Sequence, residues 1–350
     1  MISARAMLGT GIRSGDGAVG QHVCEGNGRL PFGDWDERPA SLFGWTEARL
    51  ATLSAELEKG ESSAFMIVQG GRMIYRWGDI ALKSSIASVR KSLVNVLYGM
   101  LIAAGRIDPL QTLADFNIDD MTPLTAGERS ATVMDLLRAR SGVYLPSVYD
   151  TANGRPDRGS HPPGEHWFYN NWDFNVLGTI VERATGETVL DALASRVARP
   201  LRMQDCVAGD GWFQHGPESM HPVYKIQLSA RDLARVGLLY LRHGRWGATQ
   251  LVPQSWVRDS VRPHSAVGEG RAYGLLWWIT QANAPDDAMA VHVPMFYASG
   301  WGGQYLIVLP DLDLVVVHRS ATALRVGPGV SHVRMGEILR LALSAMPDKG

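Results

Sequence analysis

The chain has 350 residues, 45% of them apolar and 20% charged, with a formal charge of -1. Such a chain can bury a large core and does not have the composition of a disordered one. Lys and Arg are spread along it, so no long-range field gathers nucleic acid or anionic membrane, and small neutral molecules are the expected partners. Residues 1–45, rich in Gly, Pro and charge without periodicity, form an arm that wraps the surface or stays partly loose. From Thr46, TEARLATLSAELEKG predicts an amphipathic helix with Leu50, Leu53 and Leu57 on one face, stopped by Gly60. AFMIVQ and RMIYRWGD follow as a hairpin across Gly70-Gly71.

Helices take over from Ser88: Ser88 to Gly105, Thr132 to Arg140, Asn171 to Thr185 and Val189 to Val197. Ser92 to Gly105 is the longest apolar stretch, yet it contains Asn95 and is too short for a bilayer of about 30 Å, so it is expected to be a buried helix. Strands return in YGLLWWIT, QYLIVLP and LDLVVVHRS, the last two joined by the turn Pro310 to Asp313, and HVRMGEILRLALSAM closes with a helix. Sheet at both ends around a helical insert predicts an α/β (α+β) architecture. Its parts are an arm (1–45), an α/β lobe (46–87 with 225–350) and a mainly helical lobe (88–224), the two lobes sharing one cleft.

The chemistry starts at Ser88-Val89-Arg90-Lys91. A hydroxyl and an amine three residues apart fall on one helix face, a turn apart. Serine needs a proton acceptor to attack an acyl carbon, and a lysine serves only if burial or nearby positive charge lowers its pKa. The N-terminal amides of the helix favour negative charge, so the Ser88 N–H is a candidate half of an oxyanion hole. The bland alternative is a helix cap followed by a surface lysine.

Two further segments decide between them. Pro163 to Asn171 (PGEHWFYNN) is a turn leading to Tyr169-x-Asn171 at a helix start, and Ala298 to Gln304 (ASGWGGQ) is a glycine-dense run before a strand. In order and spacing the three resemble the S-x-x-K, Y-x-N and K-T-G or H-x-G motifs shared by class C β-lactamases, penicillin-binding carboxypeptidases and family VIII esterases. Leu136-Leu137 with Ser141-Gly142, Ser229 to Ala234, and Tyr273-Gly274 extend the likeness over nearly everything after Trp45.

The resemblance implies a β-lactamase/transpeptidase-like fold and a serine hydrolase. Ser88 would be acylated, Lys91 would help remove its proton and Tyr169 would relay a proton to the leaving group. Asn171 would orient Lys91 or the substrate, and Gly300, Trp301 and Gly302 would border it, with the Trp301 N–H as second oxyanion donor. Packing and helix capping are the structural alternatives for Tyr169 and Asn171. The chain departs from the family at Ala298, where relatives carry Lys or His. That removes a cation for a substrate carboxylate and shifts expectation to neutral esters or amides. β-Lactamase, D-amino-acid peptidase and 6-aminohexanoate-oligomer amidase activities remain alternatives, as do acyl transfer and a catalytically silent binding protein.

Other signals are weaker. Cys24 and Cys206 are too few for a disulfide framework. His161, Glu165 and His166 surround Pro162-Pro163, which forbids the helical presentation of a zinc pair, and His292 and His318 are expected to be structural. There is no G-x-S-x-G elbow and no nucleotide-binding glycine loop, so neither a Ser-His-Asp triad nor any cofactor is implied. The first twenty residues hold no signal-peptide core, which makes the cytoplasm the default location, although a processed leader stays compatible with it. Trp167, Trp172, Trp277, Trp278 and Trp301 cluster near the motifs and are expected mainly to pack, or to give an aromatic acyl pocket if several reach the cleft.

Overall fold

The computed structural model describes residues 31, 33–149, 154–320 and 329–347. Most of the predicted arm, 1–30 with residue 32, and Cys24 within it, lie outside the described residues. Its remainder is packed: Trp35 Nε1 donates to Arg231 O, and Glu37 forms a bridge with Met73.

In chain order the elements are α1 (Glu47–Glu58), β1 (Ser62–Gln69), β2 (Arg72–Gly78), β3 (Ser84–Ser85), α2 (Arg90–Ala103), α3 (Ala126–Arg129), α4 (Val133–Leu137), α5 (Asn171–Thr185) and α6 (Val189–Leu193). Then come β4 (Gly211–Gly216), β5 (Ser219–Leu228), α7 (Ala230–Leu241), β6 (Arg245–Trp246), β7 (Thr249–Gln250) and α8 (Gln254–Ser260). The last are β8 (Ser265–Gly268), β9 (Arg271–Tyr273), β10 (Trp278–Thr280), β11 (Met295–Gly300), β12 (Gln304–Leu309), β13 (Leu314–Ser320) and α9 (His332–Leu343).

An eight-stranded antiparallel sheet in the order β2-β1-β13-β12-β11-β10-β9-β8 organises the molecule. β1 pairs with β13, from Gln69↔Leu314 to Ser62↔Ser320, so strands from the early and late parts of the chain lie side by side, one strand in from the β2 edge. Side chains alternate across a strand. On β13, Leu314 and Val316 join a core with Leu53 and Leu57 of α1 and Leu339 of α9, whereas Val315 and Val317 join the larger core containing α2, α5 and α7. α7 lies close on this sheet because Gly237 has no side chain: a Cβ there would come within 2.5 Å of Val315 Cγ1.

The β1–β2 hairpin and the leucine face of α1 follow the sequence pattern. Other elements depart from it. YGLLWWIT is not one strand but a hairpin: Gly274 N donates to Trp277 O, and Tyr273 pairs with Trp278 across it. The helix expected over Thr132 to Arg140 ends at Leu137, since Ala139 takes a left-handed φ of 55°. The segment expected to be mainly helical also carries β4 and the start of β5, which with β3 form a small second sheet, β3-β5-β4, beside the cleft. No helix among the described residues is long and apolar enough to cross a membrane.

Candidate active site

Ser88 sits in a single 3-10 turn, Ala87–Val89, that leads into α2. Ala87, just before it, has φ 47°, a conformation that an L-residue adopts at a cost and that is often stored at functional sites. No side-chain cap bond is made at the start of this turn or of α2, so Ser88 is not spent on capping. Val89, Leu93 and Val94 anchor the start of the helix in the larger core.

One turn on, Lys91 is 2% exposed. Its Nζ donates to Ser88 Oγ at 2.8 Å, Tyr169 OH at 2.7 Å and Asn171 Oδ1 at 2.9 Å. It also lies 4.4 Å and 4.6 Å from the ring centroids of Tyr169 and Phe174. Burial, and secondarily the positive charge of Arg90, lower the Lys91 pKa well below the ordinary lysine range. Two of its three partners are hydroxyls, which donate as well as accept. A neutral amine therefore fits the same place, accepting the Ser88 proton on its lone pair.

Asn170 and Asn171 divide their labour. Asn170 caps α5, its Oδ1 accepting from Trp172 N at 3.2 Å. Asn171 is thereby free of capping; its Oδ1 serves Lys91 and its Nδ2 donates to Tyr149 O at 2.7 Å. Beneath them Asp173 is fully buried, accepting from Ser141 Oγ at 2.5 Å and Asn170 Nδ2 at 2.9 Å. Burial raises its carboxyl pKa well above the ordinary range. Tyr169 is stacked on Trp278 at 5.5 Å, and burial pushes its phenol up to about 12, so it holds its proton at neutral pH.

The third segment is the end of β11 and the turn into β12, not only a loop before a strand. Ala298 is buried in β11 and gives no charge to the cleft. Gly300 packs against the nucleophile turn: a Cβ would lie 2.5 Å from Ile86 O and 3.2 Å from Ala87 Cβ. Trp301 is 72% exposed and lines the cleft, whereas Gly302 faces away, its carbonyl accepting from Ser320 Oγ. Behind the turn, Arg319 is buried and bonds Gln304 Oε1, Leu228 O, Ser84 O and Ser85 O, tying β13 and β12 to both strands beside Ser88.

A cleft of about 550 Å³ opens here, lined by Ser88, Tyr169, Asn171 and Trp301 together with Arg90, Tyr149 and Lys225. The last three were not singled out in the sequence. Of the five tryptophans near the motifs only Trp301 lines the cleft; Trp172 and Trp277 are fully buried, and Trp167 and Trp278 pack against the core. The walls are therefore mixed polar and aromatic rather than a tryptophan pocket. His161 and His166 stack at 4.2 Å, and no group of three or more possible metal ligands occurs among the described residues. His318 is structural, bonded through Nε2 to Ser62 Oγ and through Nδ1 to Gly303 O.

The fold is that of the β-lactamases and transpeptidases, a large antiparallel sheet flanked by helices. The Beta-lactamase family model matches residues 54–325, and the chain belongs to that family. The 6-aminohexanoate-dimer hydrolase of Paenarthrobacter ureafaciens is 27% identical over 316 residues, 78% of this chain and 76% of that protein. A D-aminopeptidase of Brucella ovis is 25% identical over 170 residues, 42% of this chain and 32% of its own length. The structure of a penicillin-binding protein from Bacillus halodurans superposes with a TM-score of 0.63 at 17% identity, covering 83% of this chain and 99% of that one. These relatives support an enzyme of the hydrolase class.

Proposed function

We propose that the protein is a serine hydrolase that cleaves a small ester or amide through an acyl-enzyme on Ser88. The observation that carries this is Lys91 Nζ, buried and within 2.9 Å of Ser88 Oγ, Tyr169 OH and Asn171 Oδ1 at once. With Lys91 neutral, Ser88 Oγ attacks the acyl carbon while its proton passes to Nζ. The Ser88 and Trp301 N–H groups are assigned to the oxyanion, and Gly300 lets that strand edge approach. Tyr169 gives its proton to the departing alcohol or amine and regains one from Lys91, which returns both to their starting states. Water then attacks the acyl carbon, passing its proton back through the same groups as Ser88 Oγ leaves.

The amide arm draws on the hydrolase named for the 6-aminohexanoate dimer, and the ester arm on the resemblance to family VIII esterases. The test is a fluorophosphonate probe followed by mass spectrometry, with turnover compared across short 4-nitrophenyl esters, linear amides and nitrocefin. Labelling of Ser88, ester or amide turnover, and its loss in Ser88→Ala are expected. Full turnover by Ser88→Ala, or a folded protein that the probe does not label, would overturn the assignment. Activity is expected to fall at low pH as Lys91 takes up a proton, since its pKa is depressed rather than raised.

A further inference from the structure

The charge around the cleft is one-sided. Among the described residues its lining contains two cations, Arg90 and Lys225, and no carboxylate. Arg90 Nη2 donates to Asn175 Oδ1 at 3.1 Å and its guanidinium lies 4.3 Å over the Tyr224 ring, but Nη1 is buried with no partner among the described residues. Lys225 Nζ donates to Tyr149 OH and lies 4.5 Å from that ring's centroid. Its other two N–H groups have no hydrogen-bond acceptor among the described residues.

Lys225 is not a loose surface lysine. It is half-buried on β5, on the same face as Val223, which also lines the cleft. Tyr149 braces it, and Tyr149 is itself held at a cost: φ is 62°, a left-handed backbone for a bulky residue, and the side chain is 54% exposed. Three bonds keep it there. Its carbonyl accepts from Asn171 Nδ2, its hydroxyl donates to Gln214 Oε1 at 2.8 Å, and the same hydroxyl accepts from Lys225. A continuous path therefore runs from Ser88 through Lys91, Asn171 and Tyr149 to Lys225. Strain retained at an exposed residue that orients a cation in a cleft is a mark of ligand binding rather than of packing.

We propose that Lys225, braced by Tyr149, is a specificity-determining cation that recognises a carboxylate on the substrate. The substrate class is then a short ester or amide that carries a free carboxylate away from the scissile bond. This inference rests on the hydrolase assignment and narrows it. Ala298 removes the cation from the third motif, and β5 supplies one from the opposite wall, so the loss at Ala298 relocates the anion site instead of abolishing it. The preference for neutral substrates expected from the sequence is replaced by a preference for monoanions. Arg90 adds to the positive potential without needing to touch the ligand.

The experiment compares kcat/KM for mono-4-nitrophenyl adipate and 4-nitrophenyl hexanoate, which differ by the terminal carboxylate. The wild-type protein is expected to favour the adipate ester by about tenfold, the scale of one charge-assisted hydrogen bond. Lys225→Met should bring the ratio to about one, Lys225→Glu below one, and Lys225→Arg should keep it. Added salt should shrink the wild-type ratio. In parallel, Ser88→Ala is titrated calorimetrically with adipic acid monoanilide and with hexananilide, and the acid is expected to bind about tenfold tighter only while Lys225 is present. An absent carboxylate preference in both readouts, or one that survives Lys225→Met, overturns the proposal. Discrimination in binding without turnover of either ester would instead refute the hydrolase assignment and leave the carboxylate site standing.

Discussion

Lys91 and Arg319 are both buried basic side chains, 2% and 1% exposed, that bond no carboxylate among the described residues, and they end in opposite roles. Burial lowers both, Arg319 to about 9 and Lys91 well below its ordinary range. The difference lies in what surrounds them. Arg319 meets four carbonyl oxygens, which only accept, besides the Ser84 hydroxyl, so those four contacts demand an N–H and the guanidinium stays charged. Lys91 meets two hydroxyls and an amide oxygen, and the hydroxyls can reverse. Acceptors that cannot donate fix a clamp, and partners that can do both leave a proton free to move.

Exchanging Lys91 for methionine should separate the two roles most sharply. Turnover is expected to fall by about a thousandfold, within the usual span for a lost acid–base group. The fold should gain stability. The folded pKa lies below the unfolded one, so the unfolded chain holds the proton better and stability rises with pH between those values. Lys91→Met removes that cost, with the largest gain in Tm at neutral pH and below and none above the ordinary lysine range. Loss of both activity and stability would show that Lys91 is a clamp like Arg319.

Arg319→Met should do the reverse, losing about 3 kcal/mol or more of unfolding free energy because several buried carbonyls lose their donor together. Denaturant unfolding measures it, and a near-neutral result would mean that the carbonyls find other donors. Next to it, His318 sharpens the same contrast, since burial lowers its pKa from 6.5 to about 4. A depressed histidine is protonated more readily in the unfolded chain, so stability should drop as pH falls from about 6.5 towards 4, by up to about 3 kcal/mol. In His318→Gln that slope should flatten in Tm-against-pH curves. The smallest effect is expected at Gly300→Ala, where a methyl group meets Ile86 O and pushes the nucleophile turn from the strand edge. About a tenfold fall in kcat with little change in Tm would fit a displacement of this kind.

Locally encoded features could be read from the sequence, and features made by distant pairing could not. The leucine spacing of α1, the Gly70-Gly71 hairpin and the Ser88-x-x-Lys91 turn are each written within a few residues. The Tyr169-x-Asn171 segment was equally visible, but which asparagine caps and which serves Lys91 depends on where α5 begins. β11 went unread as a strand because MFYASG becomes one only by lying between β10 and β12. Arg319 left one trace, a charge inside the apolar run LVVVHRS, whose meaning required Ser84 and Leu228 from far along the chain. Lys225 and Tyr149 belong to no motif of the sequence and acquire a role only where the fold sets them against one cleft.

The pairing of β1 with β13 also constrains how the protein is born. Ser62 and His318, which share a hydrogen bond across those strands, are 256 residues apart in sequence. At a synthesis rate of about 5–20 residues per second, the first strand waits roughly ten to fifty seconds for its partner. During that interval β1 can lean only on the β2 hairpin, with its other edge open. Chaperone dependence during translation, rather than equilibrium stability, is where this architecture should be most exposed to mutation in β1.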